Sequence, residues 1–370
     1  MVVDDSAVIR GLLTRSLEAD PEVEVLASAS NGEMAVNALA RYDVEIVILD
    51  IEMPVMDGLT ALPKLLTAKP GIKVIIASTL TRRGADISMR ALAAGADDYL
   101  TKPVASELTS ADEFKRDLLA KVKAIGGARR RAQGLAAPEP TAPQARAPSP
   151  AQVASVYEAA PDPRRRVVSL RPPSREFPEV VAIGSSTGGP QALFKVLGQL
   201  KGALRQPIFI TQHMPATFTT ILAEHIARAS GYPTAEGVDG EPVQGGRIYV
   251  APGDFHMVVE SRDRGEKVVR LTKAPPENFC RPSVDPMLRS LAQVYGPRVL
   301  TMILTGMGHD GLNGGRAVVN AGGTIVAQDE ATSVVWGMPG AVATAGLCSA
   351  VVALEEIAPA IAKLAVRAAR

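Results

Sequence analysis

The chain has 370 residues, too many for one ordinary domain, and its 46% hydrophobic content can fill more than one core. Its 40 Lys and Arg against 39 Asp and Glu leave a formal net charge of +1, which excludes the basic footprint of a nucleic-acid binder. Two cysteines, Cys280 and Cys348, make no disulfide framework, and no apolar run reaches the ~18–20 residues that span a bilayer. With no basic-then-apolar leader at Met1–Asp5, a cytoplasmic protein without membrane insertion is expected.

Residues 1–125 alternate short apolar runs with helical patterns. Val44–Leu49 and Lys73–Ala77 are short and β-branched, as buried parallel strands should be. Amphipathic stretches such as Asn31–Ala40 and Met89–Ala94 lie around them, which predicts βα repeats wound about a parallel sheet. Asp4 and Asp5 follow the first strand, and Asp50 ends the strand through Leu49. The carboxyl ends of such strands converge on one crevice, so these three carboxylates are expected to share a pocket. Like charges that close need a cation, and hard oxygen ligands favour Mg²⁺. Ser78 and Lys102 end later strands on the same rim, where a hydroxyl and an ammonium suit a phosphoryl group. Taken singly, each is an ordinary solvated strand-end residue; it is the set that points to a site.

The segments VVDDS (2–6), LDIEMPVMDG (49–58), STLT (78–81) and LTKP (100–103) resemble a response-regulator receiver across this whole first domain. The resemblance implies a flavodoxin-like, doubly wound fold in which Asp50 is the phosphoacceptor and Asp4 and Asp5 hold Mg²⁺. It further implies that the backbone carbonyl of Glu52 completes the metal ligands, that Ser78 and Lys102 contact the phosphoryl group, and that Tyr99 is the switch aromatic. Thr79 is the alternative hydroxyl. Only Met1–Val3 precede the Asp pair, so either the first strand is shortened or the true start lies upstream. A shortened strand would weaken the sheet and Mg²⁺ binding with it.

From Gly126 the character changes. Residues 132–163 are rich in Ala and Pro and are flanked by Arg129–Arg131 and Arg164–Arg166, so residues 126–177 are expected to be a flexible tether. A second α/β block occupies 178–370, with strand candidates Val180–Ile183, Pro207–Thr211, Arg247–Val250 and Val299–Leu304. Helices are predicted over Pro190–Leu200 and Phe218–Ala229.

Residues 184–188 fit G-x-S-x-G between a strand and a helix, which would expose Ser186 at a nucleophile elbow. A glycine-rich turn that binds phosphate fits the same residues equally well. A serine nucleophile needs a base, and four histidines are available. His213 and His256 each follow a strand; His225 lies within a predicted helix and His309 in a glycine-rich loop. Position favours His213, and for the orienting acid it favours Asp310 in the loop after Leu304 over Asp285.

IGSSTGGP, ITQHMP, IYVAPGDFHM, RPSVDPML, LTGMGHDG and AQDEATSVVWGMPG then follow in order through residues 183–340. They resemble the catalytic domain of the chemotaxis protein-glutamate methylesterases, the CheB family, and imply a doubly wound, mostly parallel α/β esterase. Carried over, Ser186 is the nucleophile, His213 the base, Asp310 the orienting acid, and Met307 supplies a backbone N–H to the oxyanion hole. His309 departs from what relatives often carry. The implied activity is phosphorylation-activated hydrolysis of glutamate γ-methyl esters on chemoreceptors, with glutamine deamidation. The implied partners are a chemotaxis histidine kinase and the receptors' cytoplasmic domains; a monomer is expected, with no cofactor for the ester chemistry. A nucleotide-binding module without catalysis and a DNA-binding output compete with this. The first lacks an acidic ribose contact about 20 residues past the turn, and the second lacks a basic recognition helix.

Overall fold

A computed structural model describes residues 1–102, 108–134 and 168–366. In the first domain the order is β1 (Val2–Val3), α1 (Ala7–Glu18), β2 (Ser28–Ala29), α2 (Gly32–Ala38), β3 (Ile46–Asp50), α3 (Gly58–Ala68), β4 (Lys73–Ser78), α4 (Arg82–Ala93), β5 (Asp98–Thr101) and α5 (Leu108–Ala132). The helices start where side-chain oxygens can accept orphan backbone N–H groups: Asn31 accepts from Met34, Asp57 from Thr60 and Thr81 from Gly84. The five strands pair in parallel in the order β2-β1-β3-β4-β5, a flavodoxin-like sheet whose strand order reverses beside β1. As the sequence suggests, β1 is short, with two paired residues. The Met1 amine donates to Ile46 O, and burial pushes its pKa down to about 5.

Helix α5 runs through Ala132, past Gly126 where the sequence reading starts the tether. The reason is electrostatic: Arg129 and Arg130 both pair with Glu45 of the first domain, which holds the extra turns against it. At the other end, residues 168–177 lie along the second domain, where Arg171 N–H donates to Cys348 O and Ser174 N–H to Thr324 Oγ1. The remainder of the expected tether, with the Arg164–Arg166 cluster, lies outside the described residues, as does Pro103.

The second domain continues with β6 (Val180–Ser185), α6 (Gly189–Leu200), β7 (Ile208–Gln212), α7 (Ala216–Ser230), β8 (Thr234–Glu236), β9 (Ile248–Val250), β10 (His256–Ser261), β11 (Lys267–Thr272) and α8 (Val284–Tyr295). It ends with β12 (Val299–Ile303), α9 (Leu312–Asn320), β13 (Thr324–Gln328), α10 (Met338–Thr344), β14 (Ala350–Val352) and α11 (Leu354–Ala365). Seven strands form one parallel sheet, ordered β14-β13-β12-β6-β7-β9-β8, and β10-β11 is a separate antiparallel hairpin. The chain enters at β6, builds outward through β7, then returns to β12 on the opposite side. That reversal puts the carboxyl ends of β6, β7 and β12 around one crevice. The sheet is buried on both faces, as parallel sheets require: β6, β7, β12 and β13 are buried throughout.

The two domains are packed together. The ring of Tyr99 on β5 stacks on Phe218 of α7, with centroids 4.5 Å apart and planes 13° from parallel. Asp86 of α4 accepts from His225 of α7 at 2.9 Å, and Arg82 pairs with Glu224. On another side, Val335 joins the apolar cluster that includes Phe114 and Leu118 of α5, with Met307 and Val334 packed against it. A double-mutant cycle of Tyr99→Leu and Phe218→Leu in the full chain should give a coupling energy of ~0.5–1.5 kcal/mol in urea unfolding. Strictly additive effects would show that the stacked rings contribute nothing to domain docking.

Candidate active site

Strand β6 ends at Ser185, and the chain turns through Ser186 and Thr187 to Gly188 before α6 begins. Gly188 has φ +75°, and a Cβ there would sit 2.5 Å from Val334 Cγ2, so the turn needs glycine twice over. Pro190 follows at the start of α6, where its missing N–H costs no helical bond. Gln212, buried at the end of β7, anchors the turn by donating to Ser186 O at 2.9 Å and to His213 O at 3.3 Å. It also accepts from Ser185 Oγ at 2.7 Å, so the strands that lead to Ser186 and His213 share one amide.

The Ser186 side chain is 7% exposed, and its hydroxyl accepts the Met307 N–H at 2.9 Å. Gly306 permits this approach: a Cβ on it would lie 2.6 Å from Ser186 Oγ. Among the described residues no hydrogen bond joins Ser186 Oγ to His213. The imidazole instead lies between two other groups, with Nε2 2.7 Å from Asp310 Oδ2 and Nδ1 3.3 Å from Cys280 Sγ.

Asp310 is 1% exposed, and a buried carboxylate is tolerable only with donors around it. They come from three segments. Oδ1 accepts from Ser283 Oγ, Asn278 Nδ2, and the N–H groups of Asp285 and Gly311; Oδ2 accepts from Val284 N–H and faces His213. Ser283 does not cap α8 through its own side chain, and Asp310 supplies the anion at that helix N-terminus instead. Burial pushes its pKa up, but His213 and these donors outweigh it and leave it below the usual carboxylate range. For His213, burial favours the neutral ring, yet Asp310 and Cys280 outweigh it and raise the pKa to about 10.

The other candidates have different partners. His256 is buried, offers Nε2 to Pro275 O and accepts Ser283 N–H on Nδ1, so it supports the 275–283 segment. His225 pairs with Asp86 across the domain boundary, and His309 is exposed. Asp285 is buried and accepts from Gly311 N–H, Gly314 N–H and Asn278, with no contact to an imidazole. Sequence reasoning gave no role to Asn278, Cys280, Ser283 or Gln212. Ser283 and Gln212 lie inside motifs quoted for the resemblance, but nothing local marks Asn278 or Cys280.

In the first domain, Asp4, Asp5 and Asp50 place one oxygen each within 4.8 Å of one another. Lys102 Nζ sits 2.7 Å from both Asp4 Oδ2 and Asp50 Oδ1. One ammonium thus faces three carboxylates, and the negative charge of the cluster exceeds what it can offset. Three hard carboxylates facing one cleft fit a small divalent cation such as Mg²⁺. The cleft holds about 350 Å³ and is lined by Asp5, Asp50, Glu52, Ser78, Thr79 and Lys102. Burial raises the Asp50 pKa despite Lys102; burial works against the Lys102 ammonium, but Asp4 and Asp50 raise its pKa. Tyr99 lies on the neighbouring strand with its ring buried on Phe218, and Lys121 donates to its carbonyl.

Residues 181–361 match the family described as CheB methylesterase, and residues 1–111 match the response regulator receiver domain. The protein-glutamate methylesterase/protein-glutamine glutaminase of group 2 operon of Rhodospirillum centenum is 61% identical over 374 residues, covering 100% of this chain and 94% of that one. The protein-glutamate methylesterase/protein-glutamine glutaminase of Azospirillum brasilense is 60% identical over 377 residues, covering 100% and 93%. The solved Thermotoga maritima CheB methylesterase catalytic domain is 38% identical, covering 50% of this chain and 98% of its own, with a TM-score of 0.49. No helix among the described residues is long and apolar enough to cross a membrane. With full-length likeness on this scale and both domain matches in the same order, the chain belongs to the CheB methylesterase family, in its form with an N-terminal response-regulator receiver.

Proposed function

We propose that the chain hydrolyses glutamate γ-methyl esters on chemoreceptors, releasing methanol, and deamidates glutamine side chains by the same chemistry, under control of phosphorylation at Asp50. The observation that carries this reading is the buried His213–Asp310 pair at 2.7 Å, at the strand ends beside the Ser186 turn. Ser186 Oγ attacks the ester carbonyl and its proton passes to His213 Nδ1, because Nε2 is committed to Asp310. The N–H of Met307, which holds the resting hydroxyl, is then free to stabilise the oxyanion. His213 returns the proton to the departing methoxide. Water attacks the acyl-enzyme with His213 again as base, and the free carboxylate leaves.

In the receiver, Asp4, Asp5, Asp50 and the Glu52 carbonyl would hold Mg²⁺, which when bound offsets the charge of the phosphoryl group. Lys102 and Ser78 would contact that group, and Tyr99 would report it. A chemotaxis histidine kinase is the proposed donor. The unphosphorylated receiver is the restraint on the site: α4 and Tyr99 hold α7, and the apolar cluster of α5 takes in Val335, with Met307 packed against it. Phosphorylation acts to the extent that it favours the undocked arrangement over the docked one.

Ser186→Ala should lower methanol release from methylated receptor by roughly 10⁴–10⁶-fold, and a rate near wild type would remove the serine mechanism. A fragment of residues 178–370 should outpace the unphosphorylated full chain; equal rates would remove this restraint as the means of control.

Asp310→Asn should bring the His213 pKa down from about 10 toward its ordinary 6.5, read by NMR titration of the ring. Because the folded His213 value is raised, its stabilisation is complete below 6.5 and fades as pH climbs to about 10. Asp310 has a lowered value, so its stabilisation fades as pH falls through and below 3.8. The stability gap between wild type and variant should therefore be widest between these windows, at about pH 5–6.5. A gap independent of pH would contradict the ion pair.

A further inference from the structure

The ring nitrogen that the serine must reach already has a partner. His213 Nδ1 faces Cys280 Sγ at 3.3 Å, while Ser186 Oγ accepts the Met307 N–H instead. From this geometry we infer that Cys280 is a positioning residue that competes with Ser186 for His213 Nδ1 and holds the base in a resting arrangement. The inference rests on the triad reading above.

The turn that carries Cys280 is built to keep it there. Glu277 and Cys280 exchange both backbone hydrogen bonds, at 3.2 and 2.9 Å, so the four residues close on themselves. Asn278 and Phe279 both lie in the left-handed region, at φ 53° and 62°, a conformation that Phe seldom adopts. Two anchors hold it. Asn278 Nδ2 donates to Asp310 Oδ1 at 2.8 Å and to Asp285 Oδ2 at 3.0 Å, and Arg289 of α8 grips Glu277 with both guanidinium nitrogens. The Phe279 side chain is 96% exposed and takes no share in holding the turn. The same four residues thus fix the acid through Asn278 and cap the base through Cys280.

The consequence is chemical. With Nε2 on a carboxylate and Nδ1 on a sulfur, both ring nitrogens are occupied and the imidazole favours its charged form, which cannot accept a serine proton. Other charged or titratable groups nearby have their own partners: Asp285, Arg289 and Glu277 bond to one another, to Asn278 or to backbone, Arg281 pairs with Asp254, His256 holds Ser283, and His309 is exposed. Activation therefore requires the ring to leave sulfur and meet Ser186, in addition to any movement of the receiver.

The test uses the full chain with acetyl phosphate and Mg²⁺, comparing wild type, Cys280→Ala, Cys280→Ser and Ser186→Ala. Methanol release from methylated receptor is followed against pH, and the His213 ring is titrated by NMR. Cys280→Ala should move the acid limb of kcat/KM and the His213 titration down by about one pH unit. Its rate on that limb should rise roughly tenfold. Cys280→Ser, which keeps a hydrogen-bonding group, should fall between wild type and Cys280→Ala; it also serves if the alanine variant does not fold. Unchanged limbs and titrations in both variants, or a loss of activity with the fold intact, would overturn the inference. Wild-type methanol release from Ser186→Ala would instead overturn the triad reading beneath it.

Discussion

A single buried carboxylate organises the catalytic domain. Asp310 is almost without solvent, so its charge must be met by donors, and the chain brings five from the segment 278–285 and from Gly311, beside the ring of His213. Each donor fixes something else as well. The N–H groups of Val284 and Asp285 are the open end of α8, Ser283 is tied to His256, and Asn278 sets the turn that carries Cys280. Moving the carboxylate would therefore disturb the helix, the hairpin contact and the imidazole together. An ion pair of this kind owes its strength to being dry, and dryness follows from its place under α8 and the strand ends.

The receiver meets this domain at two places that bear on chemistry. Its β5 and α4 hold α7, the helix that follows His213, through the Tyr99–Phe218 stack and the Asp86–His225 bond. The apolar cluster that holds Phe114 and Leu118 of α5 takes in Val335, with Met307 packed against it, and the Met307 amide holds the Ser186 hydroxyl. The receiver thus borders both the segment that carries His213 and the loop that carries Met307. Lys102 spans Asp4 and Asp50 and so ties the ends of β1, β3 and β5 together in the receiver pocket. The switch region and the domain boundary meet in one residue, since the ring proposed to report phosphorylation is the ring that docks.

Much of this was legible in residues 1–125 and 178–370 because parallel strands are short, buried on both faces and β-branched. Val180–Ile183, Lys73–Ala77 and Val299–Leu304 announced themselves that way, and their carboxyl-end residues pointed to the two crevices. The strands β13 and β14 and the helices α8 to α11 are not among the sequence candidates, although α8 is amphipathic, burying Val284, Met287, Leu288, Leu291 and Tyr295 on one face. The boundary at Gly126 was misread: composition there resembles a tether, whereas Arg129 and Arg130 find Glu45 only in the folded domain.

The sequence by itself determined which functional groups exist, the order in which strands present them, and the family to which they belong. It favoured His213 and Asp310 by position and by resemblance, but their contact depends on strand neighbours, and β7 and β12 both flank β6 only once the sheet is wound. Tertiary structure brings the expected Asp310 to His213, and it alone decided that the second ring nitrogen faces sulfur rather than the serine. Those are contacts between residues 67 and 97 positions apart, and only the closing of the sheet brings them within hydrogen-bond reach.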